Sequence, residues 1–213
     1  MWSVIGGEIL GWSCFWGVVW YITNLNGTVP TKFRKEEDPA KQEQLKKTHF
    51  GYYLSLYHAC MTIAASVISL LWYGFAPSAP FSEFDFWIFK MSAGYFVVDT
   101  ITGMAYKFND LSMLLHHIFV LTAYAQAFYY NNSRVELTLS LAVGELSNPL
   151  NIVRILADDH GMKRLSEYCA LGFTLVFVTL RGLCSWLILS MVNLNPALNN
   201  TIKLICTLLC RLA

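Results

Sequence analysis

Charge is scarce in this chain. Only 14% of its 213 residues are charged, where a soluble globular domain carries about a quarter. That shortage excludes an ordinary water-soluble domain. Neither sign dominates, since 15 Lys and Arg stand against 14 Asp and Glu. The net charge of +1 gives no basic surface for nucleic acid. The six cysteines (Cys14, Cys60, Cys169, Cys184, Cys206 and Cys210) all lie in apolar stretches and form no C-x-x-C. A secreted disulfide scaffold is excluded, and the thiols are expected to act as small buried hydrophobes. There is no basic stretch before the apolar N-terminus, so a cleaved secretory signal is excluded and the first segment is read as retained. Histidine is also rare. The five residues His49, His58, His116, His117 and His160 make no H-x-x-H or H-x-x-x-H, so no metal site is expected.

What is abundant is apolar sequence: 55% hydrophobic residues and a mean hydropathy of +0.45. A bilayer core of about 30 Å takes roughly 20 apolar residues in a helix. Six stretches meet that length: Trp2–Ile22, Gly51–Tyr73, Phe84–Tyr106, Leu111–Tyr130, Val135–Leu156 and Tyr168–Val192. The fold class expected is an all-α polytopic membrane protein. A further segment, Ile202–Ala213, spans only about 18 Å as a helix and reads as a short or truncated seventh span. Residues 1–22 thus form a first span, 23–49 a charged loop, and 50–213 the remaining bundle.

Loop charge sets the orientation. The first loop holds Lys32, Arg34, Lys35, Lys41, Lys46 and Lys47. The third adds Lys107, and the fifth Lys163 and Arg164. On the other side, the fourth loop has only Arg134. The odd loops are therefore expected in the cytosol and the N-terminus in the lumen or outside. The first loop also carries Glu36, Glu37, Asp38 and Glu43, and it reads as a solvated connector. Sequons stand at Asn26, Asn131 and Asn199. The first falls on the cytosolic side, the second in a tight loop, and chance accounts for all three.

Ionisable side chains inside a bilayer are costly and turn toward the bundle interior. They are therefore the candidate functional residues: His58, Asp99, His116, His117, Glu145, Asn148, Asn151 and Arg181. Counting helical turns from the cytosolic ends places His58, Asp99, the histidine pair and the two asparagines about one and a half to two turns deep. Four spans thereby bring polar groups to one level, which suggests a polar chamber open to the cytosol. Arg181 lies deeper. Asp158 and Asp159 read as a polar helix exit near water.

Glu145, Asn148, Asn151 and Arg154 recur every three residues along one side of the fifth span. Pro149 cannot donate to the carbonyl of Glu145 and is expected to kink the helix there. Asparagines in a bilayer also serve simply to join helices. Adjacent helical residues diverge by about 100°, so His116 and His117 cannot both face one small ligand equally. One is expected to face the chamber while the other bonds a neighbouring span. A neutral imidazole there could act as a general base.

Four motifs carry a family resemblance. The stretches "GYFVVDT", "MLLHHIFVLTAY", "GELSNPLNIVRIL" and "FVTLRGL" resemble the TLC domain of the TRAM, Lag1 and CLN8 proteins, from Phe50 onward. They are most similar to the small TLC domain-containing proteins of the TLCD4-like group. The resemblance implies a TLC-type barrel of six transmembrane helices around a lipid-sized chamber. It implies catalytic roles for His116, His117 and Glu145. Asp99, Asn148, Asn151, Arg181, His58 and Tyr124 would line the chamber. In ceramide synthases of this family two acidic residues stand three apart on the helix after the histidine pair. Here those positions hold Glu145 and Asn148.

The function expected is binding or handling of lipid and acyl chains, contributing to membrane lipid homeostasis. An alternative is acyl-CoA-dependent N-acyl transfer using the histidine pair, with acyl-CoA as co-substrate and no other cofactor. A second is a trafficking receptor like CLN8. The partners implied are membrane lipids, an acyl chain or a sphingoid-type lipid, with a homodimer compatible and no nucleic acid. Family analogy implies the endoplasmic reticulum, and the plasma membrane is compatible.

Overall fold

The computed structural model describes residues 2–26, 29–30, 32–107, 110–194 and 203, and among these the chain is mostly helical, with no strand. Eight α-helices follow in order: α1 (Trp2–Asn26), α2 (Pro39–Tyr73), α3 (Glu83–Ala105), α4 (Leu111–Tyr130), α5 (Arg134–Leu146), α6 (Asn148–Asp159), α7 (Lys163–Val176) and α8 (Ser185–Leu194). A 3-10 turn, Phe33–Lys35, precedes α2, and a π-helical segment, Phe177–Cys184, joins α7 to α8. The expected seventh span, Ile202–Ala213, and the sequon at Asn199 lie outside the described residues.

The charged segment 23–49 is not a connector throughout. Asp38 accepts from the backbone N–H of Ala40 at 2.9 Å, and Pro39 opens the helix. A carboxylate cap followed by proline starts a helix efficiently, because the lost proline N–H would have had no partner there. Glu43 and Lys47 pair one turn apart, which carries α2 through polar sequence into the apolar run. At the other end Gly74, at φ 71°, donates to Leu70. Arg134 donates to the carbonyls of Tyr73 and Gly74 at 3.0 and 2.8 Å, satisfying acceptors that the helix end leaves open.

α2 is central, packing on α1, α3, α5 and α6; α1 also packs on α3, α3 on α4, and α6 on α7. At Gly94 a Cβ would stand 2.6 Å from that of Trp12 and 2.8 Å from the Ser13 nitrogen, so only glycine lets α1 approach α3 so closely. The Trp16 indole donates to the carbonyl of Met91 at 3.0 Å, and Glu8 pairs with Lys90 at 2.8 Å. The main core lies among α1 to α4, around Trp16, Leu54, Phe89, Phe96 and Phe128. A small second core of Val143, Ile188 and Val192 joins α5 to α8.

Among the described residues two helices are long and apolar enough by length and composition to cross a bilayer, Pro39–Tyr73 and Leu111–Tyr130. The other expected spans differ for visible reasons. α3 carries Glu83, Asp85, Lys90 and Asp99. The fifth span is divided at Ser147 into α5 and α6, and the sixth is divided by the π segment. Of the described cysteines, all free, Cys14 and Cys60 are exposed on outward faces instead of buried as expected, Cys184 is half-buried, and Cys169 is buried.

Candidate functional site

On α3, Ser92, Tyr95, Phe96 and Asp99 follow the i, i+3, i+4, i+7 spacing that puts side chains on one helix face. All four are buried. This face meets α2 at His58, which is also buried. The His58 ring stacks on Tyr95 with centroids 3.8 Å apart and planes within 8°. Its Nε2 lies 2.9 Å from the Ser92 hydroxyl, and that hydroxyl lies 3.1 Å from the Tyr124 hydroxyl of α4. The Tyr95 hydroxyl reaches Ser55 of α2 at 2.8 Å.

The two adjacent histidines part as their helical angle requires. His117 is buried and His116 is exposed. His117 Nδ1 lies 2.8 Å from the Thr100 hydroxyl, and its Nε2 lies 3.4 Å from Asp99 Oδ2. Thr100 has one hydroxyl proton, and that proton goes to the carbonyl of Phe96 at 2.7 Å. The hydroxyl must therefore accept from Nδ1–H of His117. With Nδ1 committed to Thr100, Nε2 is the ring atom turned toward Asp99.

The fifth span contributes from the far side. Glu145, buried near the end of α5, places Oε1 3.9 Å from His58 Nδ1. Asn148, the first residue of α6, donates to Glu145 Oε2 at 2.9 Å. The division at Ser147 comes just before Pro149, as the missing proline N–H leads one to expect. Four helical spans thus meet in one buried polar network, with the Phe96 ring 5.2 to 5.4 Å from the rings of both His58 and His117.

The structure brings together His58, Asp99, His117, Tyr124, Glu145 and Asn148. Asn151 instead accepts from Arg154, one turn further along α6. The side chain of Arg181, within the π segment, lies outside the described residues. Sequence reasoning missed Ser92, Tyr95 and Thr100. Their common signal was the helical spacing from Asp99, on a helix already expected to face inward.

A second polar cluster lies at the end of the bundle where the charged segment enters α2. His49 is buried within α2 instead of in a loop, and its Nδ1 meets Asp159 at 2.9 Å. Lys32 reaches both Asp158 and Asp159 at 3.2 Å. Asp159, expected near water, is buried. The reason is tertiary: α6 packs along α2, so the end of α6 is covered by the helix that carries His49. Hydrogen bonds that Lys32 donates to Asp158 and Asp159 hold its ammonium above its ordinary pKa. Burial pushes the His49 imidazole down, against the opposing pull of Asp159.

Residues 42–213 match the TLC domain. The chain belongs to the TLC-domain family. The match starts within the polar opening of α2 and takes in every member of the buried network, while α1 precedes it. No curated protein and no solved structure matches the chain. The TLC domain and the long apolar helices together make this a membrane protein with a lipid-related role.

Proposed function

We propose that this TLC-domain protein binds a lipid at the buried polar network and contributes to membrane lipid homeostasis, as the small TLC domain-containing proteins suggest. The bundle crosses the endoplasmic reticulum membrane six times, with its charged odd loops in the cytosol and α5–α6 and α7–α8 each counting as one broken span. Broken helices are tolerated in a bilayer where protein or a cavity covers the freed backbone groups. The lipid's polar group would meet Asp99, His117, His58 and Glu145, while its chain lies among the apolar side chains.

The observation that carries this reading is the convergence of His58, Asp99, His117 and Glu145 from four helical spans into one buried polar network. The bond from His117 Nδ1 to Thr100 fixes the ring with Nε2 toward Asp99. A fixed polar cluster inside an otherwise apolar bundle suits the polar group of a lipid. Acyl-CoA-dependent N-acyl transfer is the second reading. It is favoured by His116, which is exposed one position away and near enough to His117, at 5.9 Å between ring centroids, to share a ligand.

The test is mass spectrometry of lipids that co-purify with the full chain. Wild type should retain one lipid class, and Asp99→Leu with His117→Phe should lose it while still folding. Acyl transfer from labelled acyl-CoA that depends on His116 would replace the binding reading with the enzymatic one. Equal lipid retention by wild type and the double variant would sink both.

A further inference from the structure

We propose a second lipid site on the outside of the TLC domain: a groove between α1, α3 and α4 that holds one hydrocarbon tail of a bilayer lipid. The groove has a volume of about 230 Å³ and is lined by Gly6 and Ile9 of α1, Ala93 and Val97 of α3, and Leu121 and Tyr124 of α4. One wall comes from α1, which precedes the residues matching the TLC domain. The groove is therefore a property of this chain's arrangement and not of the domain alone. The proposal rests on the reading that these helices lie in a bilayer.

The gap is not loose packing. Just past it, α1 is fixed to α3 by the close approach at Gly94, the Trp16 bond to Met91 and the Glu8–Lys90 pair. Opposite the opening Gly6 removes the side chain that would fill it, and a Cβ there would meet open space. The occupant follows from size, lining and surroundings. A helix is about 10–12 Å across with its side chains, so neither a partner's span nor a second copy fits within this volume. The one polar atom at the wall, the Tyr124 hydroxyl, is already bonded to Ser92, so a headgroup finds no partner inside. The flanking side chains Val4, Leu10 and Ile118 are exposed and apolar, which puts the mouth in hydrocarbon. A lipid tail is what lies there. Tyr124, one of the lining residues, bonds through Ser92 to His58. A tail seated here would therefore press on the ring that supports the buried network.

The experiment uses the full chain in phosphatidylcholine vesicles doped with a phosphatidylcholine whose acyl chain bears a photoreactive diazirine. After extraction into lipid-free detergent the sample is irradiated and the cross-linked residues are mapped. Wild type should retain label on Ile9 and Leu121 and lose it from Val67 and Leu71, exposed on α2. Gly6→Leu with Ala125→Leu fills the groove from residues that have room, and should lower the groove label by about an order of magnitude with an unchanged melting temperature. Asp99→Leu with His117→Phe should keep the groove label, which separates this site from the buried one. Label spread equally over α2 and the groove in wild type, or undiminished in the filled variant, overturns the proposal. If the filled pair melts early, Gly6→Leu alone is the deciding variant, and undiminished label there is again fatal.

Discussion

Two imidazole–carboxylate contacts in this protein have the same chemistry and different company. At the loop end, His49 meets Asp159 at 2.9 Å, and Lys32 supplies a mobile cation to the same carboxylate. In mid-bundle, His117 meets Asp99 at 3.4 Å, and its remaining partner is the uncharged hydroxyl of Thr100. Near water a spare lysine can balance a carboxylate at little desolvation cost. Within a bundle it would be expensive, and the inner pair has the Thr100 hydroxyl beside it instead. The outer contact is a fastening between chain segments. The inner one is a network whose members depend on one another.

Removing one inner partner should have the largest effect. His117→Phe takes that partner from the buried Asp99 and the half-buried Thr100, and should lower stability by about 1–3 kcal/mol. Adding Asp99→Leu should restore most of the loss, since replacing both partners by apolar groups is nearly neutral. His116→Leu, at an exposed position, should stay within about 0.5 kcal/mol. Detergent melts of these three variants and of Asp99→Leu alone decide this, and additive losses for the inner pair would show that no coupled network exists.

Next in size is Asp159→Ala, which leaves the buried His49 Nδ1–H unsatisfied and should cost about 1–3 kcal/mol. Its neighbour Asp158, with a side chain 60% exposed, should tolerate alanine within about 0.5 kcal/mol. Equal melting temperatures for the two would return Asp159 to the wet helix exit that the sequence suggested.

Acidification should then weaken the outer contact. Folding lowers the His49 pKa below its ordinary 6.5, so the unfolded chain binds more protons there and stability rises with pH. The contribution is complete above 6.5 and is lost as pH falls toward the folded value. His49 Nε2 is buried with no partner, so a second proton would have no acceptor. The pH dependence of the melt below 6.5 should flatten in His49→Gln.

The smallest effect belongs to Lys32. Its side chain is 55% exposed, so Lys32→Gln should cost no more than about 1 kcal/mol, and less as salt is raised. Its raised pKa works in the opposite direction to that of His49. The ion pair is complete below the ordinary 10.5 and is lost only as pH climbs through the higher folded value. A melt that changes with Lys32 between pH 6 and 8 would contradict that assignment.

Much of the inner site was legible because helical periodicity and bilayer cost act together. Asp99, His117 and Glu145 stood out as ionisable groups in apolar runs, and the angle between adjacent helical positions required His116 and His117 to separate. Ser92, Tyr95 and Thr100 did not stand out, because a hydroxyl in a membrane helix can bond its own preceding turn at little cost. Thr100 does so with Phe96. Only the helix across the interface makes such residues part of a site. For Asn151 regular spacing gave its side of the helix, and the structure adds that the nearby guanidinium of Arg154 bonds its oxygen.

The sequence by itself determined the helical class, the membrane setting and the division at Pro149. These follow from local terms: hydropathy over a span length, the missing proline N–H, and 3.6 residues per turn. Tertiary structure decided what depends on which helices meet. It buried Asp159 under α2, recruited His49 from an apparent loop, and tied His58 to Tyr124 through Ser92. It also set α1 against Gly94, leaving a groove beside it. Each of these is a contact between residues far apart in the chain, and no local pattern specifies which helix faces will be brought together.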